Sequence, residues 1–212
     1  GQIDYTNAIK QIEDEASRLQ SRVHQLYGKI DDERLGEVHA LIEEILSKIE
    51  ENPDPESCKQ AMDNILAAKK LMSKISKDNK KQMRMATLEG MEAFFEANIR
   101  EYSKPAEVNS FETLLKTARR CIESGSHDFD VAMDGMKDIN TRVLWRQEWF
   151  VVSKFKQFAE EEYMFSDKVA FQALVRNGRE ALRADDLSKL KSIIGQMYQI
   201  RYNSDSDEET DI

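Results

Sequence analysis

Two helical patterns with one break between them fill residues 35–75, LGEVHALIEEILSKIEENPDPESCKQAMDNILAAKKLMSKI. Apolar residues recur in each pattern at alternating steps of three and four, the spacing of one buried face on an α-helix. The first face is Leu35, Val38, Ile42, Ile45 and Ile49, and the second is Cys58, Ala61, Ile65, Ala68, Met72 and Ile75. Pro53 ends the first helix, Asp54 can cap the second, and Pro55 suits its first turn. The stretch therefore predicts two antiparallel helices joined by a short break.

The same stepping extends to both sides of this stretch. It predicts a helix from Tyr5 to Leu26, which Gly28 ends, and a fourth helix that starts near Asn79. The predicted buried face of the fourth helix is Met85, Leu88, Met91, Phe95, Ile99 and Tyr102. We interpret residues 1–103 as an N-terminal antiparallel helical bundle.

The second half of the chain also predicts helices, and its final part predicts none. Gly125 can end one helix, Asp128 can begin the next, and Asp185 or Asp186 can cap the last one. The helix before that cap has the predicted face Val169, Ala170, Ala173, Leu174, Gly178, Ala181 and Leu182. We find no alternating pattern long enough for a strand. The predicted fold is all-α, with a helix-hairpin subdomain at residues 104–202 and a disordered acidic tail at residues 203–212.

Charge and composition narrow the function classes. The formal net charge is −9, and five acidic residues of the tail account for more than half of it. The helical part therefore lacks the basic excess that general nucleic-acid binding needs. No run approaches the roughly 18 apolar residues of a membrane span. Cys58 and Cys121 lie on predicted apolar faces, which is typical of a cytoplasmic protein. Because the chain begins at Gly1 without a Met, we interpret it as part of a longer protein.

No motif of a known catalytic centre occurs in the sequence. The three histidines are His24, His39 and His127, and none has a Glu three residues before it, as di-iron bundles require. Gly-rich phosphate loops, GxSxG and Cys-x-x-Cys are also absent from the sequence. We therefore predict that this segment is not an enzyme and holds no cofactor. The alternative is a helical catalytic domain whose carboxylates converge only on folding.

Two features are candidates for binding another protein. The first is WRQEWFVVSKFKQF (residues 145–158), whose aromatic side chains can serve either as core or as a partner-binding surface. The second is the tail, which can be a solubilising segment or a ligand for a partner. The candidate partner-binding residues are Trp145, Trp149, Phe150, Phe155, Glu208, Glu209, Asp211 and Ile212. A run of basic residues between Lys69 and Arg84 reads either as a solvated helix face or as a docking surface for an acidic segment, including the tail itself.

Several of these patterns resemble one family. They are Ile3-Asp4-Tyr5 opening a heptad helix, the break Asp54-Pro55-Glu56, the run from Glu148-Trp149-Phe150 to Phe155, and the set Leu174, Gly178, Ala181, Asp185 and Leu190. Together they resemble the C-terminal helical region of DnaK-like chaperones, the seventy-kilodalton heat-shock class, in its divergent bacterial form. The resemblance spans most of residues 1–202. The end of the tail, Glu208-Glu209-Thr210-Asp211, is similar to the Glu-Glu-Val-Asp terminus of eukaryotic members, but Ile212 follows it here.

The resemblance implies a division of labour. An upstream nucleotide-binding domain would bind ATP, and this segment would act as a non-catalytic lid or appendage that binds client polypeptide or co-chaperones. The predicted partners are therefore proteins, including a second copy of the chain, and neither nucleic acid nor membrane. The alternative function is a free-standing helical adaptor or scaffold that mediates protein–protein interactions.

Overall fold

The computed structural model describes residues 6–51 and 54–202, and within them it contains nine α-helices and no strand. They are α1 (Thr6–Leu26), α2 (Arg34–Glu51), α3 (Pro55–Asp78), α4 (Lys80–Asn98), α5 (Pro105–Ser124), α6 (Asp128–Trp145), α7 (Glu148–Glu160), α8 (Lys168–Arg183) and α9 (Leu187–Ile200). The predicted all-α fold is confirmed. The chain divides into two compact units, Gly1–Met136 and Lys137–Ile212, and the division falls within the sequence of α6. The domain boundary predicted after residue 103 stays a prediction.

The first unit begins with an antiparallel bundle of α1, α2 and α3. All eleven apolar side chains predicted to form the inner faces of α2 and α3 are buried there. Gln20 donates a hydrogen bond to Glu43, and one turn farther along α1 the His24 ring contacts His39, one turn earlier in α2. Contacts that advance along one helix while they recede along the other show that the two helices are antiparallel. Gly28, with φ of 80°, ends the α1 segment in the left-handed conformation that glycine adopts without strain.

The start of α2 is fastened to the end of α3 by a polar cluster. The Asp32 carboxylate accepts hydrogen bonds from the Arg34 backbone and guanidinium and from the Asn79 amide. Arg34 also pairs with Asp78 at 2.9 Å. The hydrogen bonds from Arg34 hold the pKa of Asp32 well below its usual range. At the other end of α3, Asp54 accepts from the Ser57 backbone N–H at 2.7 Å, which confirms the predicted cap.

The fourth helix buries Leu88, Met91, Phe95 and Ile99 as predicted, and it differs from the prediction at Met85 and Tyr102. Only Asn79 separates α3 from α4, and α4 packs on α5, where the Phe95 and Phe111 rings stack 3.8 Å apart. Met83 is buried, whereas Met85, which was predicted to be buried, is 45% exposed, and Tyr102 is also exposed. Met83 packs in the same core cluster as the inner faces of α1, α2 and α3, and Met85 lies about 200° away from it around the helix. The start of α4 therefore contributes to the core of the α1–α3 bundle, and its later part packs on α5.

The second unit has a core formed by α7, α8 and α9. Phe155, Phe158, Phe165 and Phe171 are four of its buried rings. The chain after α9 returns to the start of α8, because Arg201 forms a backbone bridge with Phe165 and the Tyr202 N–H donates to Met164 at 2.8 Å.

The buried face of α8 differs in part from the predicted one. Gly178 and Ala181 are buried as predicted, but Val169 is 80% exposed, and Phe171 and Val175 are buried in its place. The large apolar side chains two and six residues after Val169 determine which side of the helix faces the core. The predicted face was therefore rotated by part of a turn.

The start of α9 distinguishes the two aspartates that the sequence left as alternatives. The Asp186 carboxylate accepts a hydrogen bond from the Lys189 backbone N–H at 3.0 Å and is the cap of α9. Asp185 has φ of 53° and provides the left-handed residue between α8 and α9. Among residues 6–51 and 54–202, none of the helices is sufficiently long and apolar to cross a membrane.

Candidate partner-binding surface

A tight turn between α6 and α7 places the aromatic residues of the 145–158 stretch. The α6 helix ends at Trp145 and α7 begins at Glu148, so only Arg146 and Gln147 connect them. The Gln147 carbonyl accepts from the backbone N–H groups of Phe150 and Val151, and its side chain donates to the Val143 carbonyl at 3.1 Å. Gln147 therefore holds both helix ends, and the turn brings residues 145, 149 and 150 together.

The three rings at this turn form one contiguous group. Phe150 lies between the two tryptophans, with ring-centroid distances of 5.1 Å to Trp145 and 6.0 Å to Trp149. Both contacts are edge-to-face, with interplanar angles of 86° and 89°. This is a preferred geometry for aromatic pairs, because the positive ring edge meets the negative ring face. The three rings therefore form one group of favourable aromatic contacts.

Among the four aromatic side chains predicted to bind partners in this stretch, Phe155 is the most buried and Trp149 is the most exposed. Phe155 is only 2% exposed and belongs to the core, where its ring lies against Gly178. Trp145 and Phe150 are half-buried, and Trp149 is 48% exposed. A partner would meet Trp149 first and Phe150 beside it, whereas the Phe155 side chain has almost no surface to offer. The partner-binding role of all four side chains stays a prediction.

Lys154 completes the group, although the sequence analysis did not select it. Its Nζ lies 6.0 Å from the Phe150 ring centroid and 5.6 Å from the Phe158 ring centroid. The sequence signal is its position four residues after Phe150, which places both on the same side of α7. We call Trp145, Trp149, Phe150 and Lys154 the aromatic corner. It combines apolar area with one positive charge.

The structure separates the members of the predicted basic run between Lys69 and Arg84. Lys69 pairs with Glu15 at 3.5 Å, and Lys81 pairs with Glu123 at 3.4 Å. Arg84 is buried, with its guanidinium 4.7 Å from the centre of the Phe129 ring. The run is therefore not one continuous solvated face. The four tail residues predicted to bind partners, Glu208, Glu209, Asp211 and Ile212, lie outside the described residues.

His24 and His39 form a second cluster of rings with Tyr27 in the first unit. His24 and His39 have ring centroids 5.8 Å apart, and Tyr27 lies 6.2 Å and 6.5 Å from them. His39 Nε2 is 3.9 Å from Glu43. Within the part of the chain that the structure describes, no three or more His, Cys, Asp or Glu side chains are placed to hold a metal ion together.

Comparison with protein-family models, with curated proteins and with solved structures finds no match to this chain. The aromatic corner is therefore interpreted from its own geometry.

Proposed function

We propose that this chain is a non-catalytic helical region that binds protein partners through the aromatic corner, and that it serves as the lid or appendage of a DnaK-like chaperone in the cytoplasm. The observation that supports partner binding is the half-exposed Trp149, which is held against Phe150 at the end of a helix. Tryptophan is enriched among the residues that dominate the energy of protein interfaces. The sequence resemblance supports the chaperone assignment.

The chemistry of the corner suits an extended, partly apolar polypeptide. A rigid aromatic group loses little side-chain entropy on binding, and half of the Trp149 surface remains to be covered by a partner. The proposal assigns no cofactor to this segment, and it assigns ATP only to a separate nucleotide-binding domain.

Trp149→Ala tests the proposal. The probe is a reduced, carboxymethylated and therefore permanently unfolded protein, and its binding is measured by fluorescence anisotropy. We expect Trp149→Ala to raise the Kd about thirtyfold or more, because truncation of an interface anchor costs at least about 2 kcal/mol. Val169→Ala is the matched control, because it removes exposed apolar area elsewhere in the same unit.

Equal affinities of wild type and Trp149→Ala would contradict the role of the corner. If the chain binds folded proteins from an affinity screen and not the unfolded probe, the adaptor alternative replaces the chaperone assignment. ATP hydrolysis by the purified 212 residues would overturn the non-catalytic assignment.

A further inference from the structure

The outer side of α8 presents three arginines without counter-charges. Arg176, Arg179 and Arg183 are exposed, and within the described residues none of them forms an ion pair or a side-chain hydrogen bond. Their spacing of three and seven residues places them within a stripe about 60° wide on the helix surface. We call these three residues the arginine stripe. Glu180 lies beside the stripe and is the nearest acidic residue on the same helix.

The acidic end of the chain leaves the described structure close to this helix. The bridge between Phe165 and Arg201 fixes the chain just before α8 begins, and the described residues end at Tyr202. Residues 203–212 include five acidic residues. Ten extended residues reach about 33–36 Å. From Lys168 to Arg183 the helix rises only about 22 Å, so the whole stripe is within reach.

We propose that residues 204–212 bind the arginine stripe of α8 in the same chain. Guanidinium groups donate paired hydrogen bonds to carboxylates, so a row of three suits an acidic segment. Single exposed ion pairs are weak, but the short tether keeps the acidic segment at an effective concentration near the millimolar range. This contact goes beyond the proposed function and does not involve the aromatic corner. The arginine stripe holds the acidic segment until a competing polyanion or high salt displaces the segment.

A row of three lysines in the first unit is the alternative binding surface for the acidic segment. Lys70, Lys74 and Lys77 lie on one side of α3, are exposed, and form no ion pair within the described residues. The tether favours the arginine stripe, because both the stripe and Tyr202 belong to the second unit. Lysine also lacks the planar fork that pairs with both oxygens of a carboxylate. The lysine row therefore provides a control with the same change in charge.

The experiment measures how fast a Glu-specific endoprotease cuts after Glu208 and Glu209 in the full chain. An isotopically heavy synthetic peptide of residues 202–212 in the same tube reports cleavage of the free sequence, and mass spectrometry gives the ratio of the two rates. Four proteins are compared: wild type, the triple variant Arg176→Gln, Arg179→Gln, Arg183→Gln, the triple variant Lys70→Gln, Lys74→Gln, Lys77→Gln, and Glu180→Gln. Circular dichroism confirms that each variant is folded.

We expect the wild-type chain at low salt to be cut about threefold more slowly than the arginine variant. About 0.5 M salt should remove this difference, because the Debye length falls to roughly 4 Å. The lysine variant should behave as wild type, and Glu180→Gln should be cut more slowly still, because it removes the negative charge beside the stripe.

Three results would overturn the proposal. Equal cleavage of wild type and the arginine variant means that the stripe does not bind residues 204–212. Loss of protection in the lysine variant assigns the contact to α3. Protection that increases when the chain concentration is raised about tenfold means that the segment binds a second copy. The proposed function is unaffected by each of these results, since its test depends on Trp149 and on an added polypeptide.

Discussion

Replacement of Gly178 by alanine tests the packing of the second unit at its closest point. An added Cβ would lie 2.1 Å from Cε2 and 2.4 Å from Cζ of Phe155, far inside van der Waals contact. Phe155 is only 2% exposed, so its ring cannot move into solvent. Insertion of a methyl group into a packed core costs about 1–3 kcal/mol, and alanine returns about 0.5–1 kcal/mol of helix propensity. We expect a net loss of about 1–2 kcal/mol.

The assay is urea unfolding followed by tryptophan fluorescence. The two tryptophans of the chain, Trp145 and Trp149, both lie in the second unit, so the signal reports on that unit. Gly195→Ala is the matched control, because a Cβ at Gly195 of α9 meets no atom within 4 Å. Gly195→Ala should stabilise the unit by about 0.5–1 kcal/mol through helix propensity alone.

A smaller side chain at residue 155 should relieve the collision. Phe155→Leu is expected to destabilise the wild-type chain, and to destabilise the Gly178→Ala chain much less, so the double-mutant cycle is strongly non-additive. If Gly178→Ala raises the unfolding midpoint as Gly195→Ala does, the close approach of Phe155 to α8 is refuted. Additive effects of Gly178→Ala and Phe155→Leu on the free energy of unfolding would also refute a direct contact between residues 178 and 155.

Two further predictions concern polar contacts at helix ends. Hydrogen bonds lower the pKa of the Asp32 carboxyl in the folded chain, so this carboxylate stabilises the fold fully above the unfolded-state pKa of about 3.9, and its contribution is lost as the pH falls below that value. Asp32→Asn should therefore unfold more easily than wild type at pH 7, and the unfolding midpoints of the two proteins, measured by circular dichroism, should converge in acid. A difference between the midpoints that stays constant with pH would contradict this prediction. Asp186→Ala should lower the free energy of unfolding by about 1 kcal/mol, because it removes the cap of α9. Asp185→Gly should be nearly neutral, because glycine adopts the φ of 53° at that position without strain. Equal losses of stability for the two variants in fluorescence-monitored urea unfolding would contradict the assignment of the cap to Asp186.

The sequence predicted the buried faces of α2 and α3 because one row of apolar residues at alternating three- and four-residue steps runs along each helix. Every residue placed on those faces is buried, and the cap at Asp54 is present. At α4 the sequence offered two faces, since Met83 and Met85 are equally apolar. Burial of Met83 depends on the core of α1, α2 and α3, which its side chain joins across the break at Asn79. Local periodicity contains no information about that tertiary contact.

The aromatic stretch at residues 145–158 shows that local periodicity is equally insufficient to predict the candidate site. The sequence left its side chains as either core or partner-binding residues, and spacing alone cannot separate Phe155 from Trp149. Their difference arises from Gly178, which lies in the following helix and leaves room for the Phe155 ring. Lys154 was missed because a lysine on a helix surface is ordinary, and only its distance from the Phe150 ring distinguishes it.

The two sides of α8 should respond to substitution independently. Gly178 faces the Phe155 ring, whereas the arginine stripe lies on the outer side of the same helix. In the folded chain, Gly178→Ala should change the urea midpoint and leave the tail-cleavage ratio unaltered. The arginine variant should change the cleavage ratio and leave the midpoint within about 0.5 kcal/mol, as is usual for surface substitutions. If Gly178→Ala changes both at low protease concentration, cleavage reports opening of α8 and not release of residues 204–212, because an opened helix would present no aligned stripe.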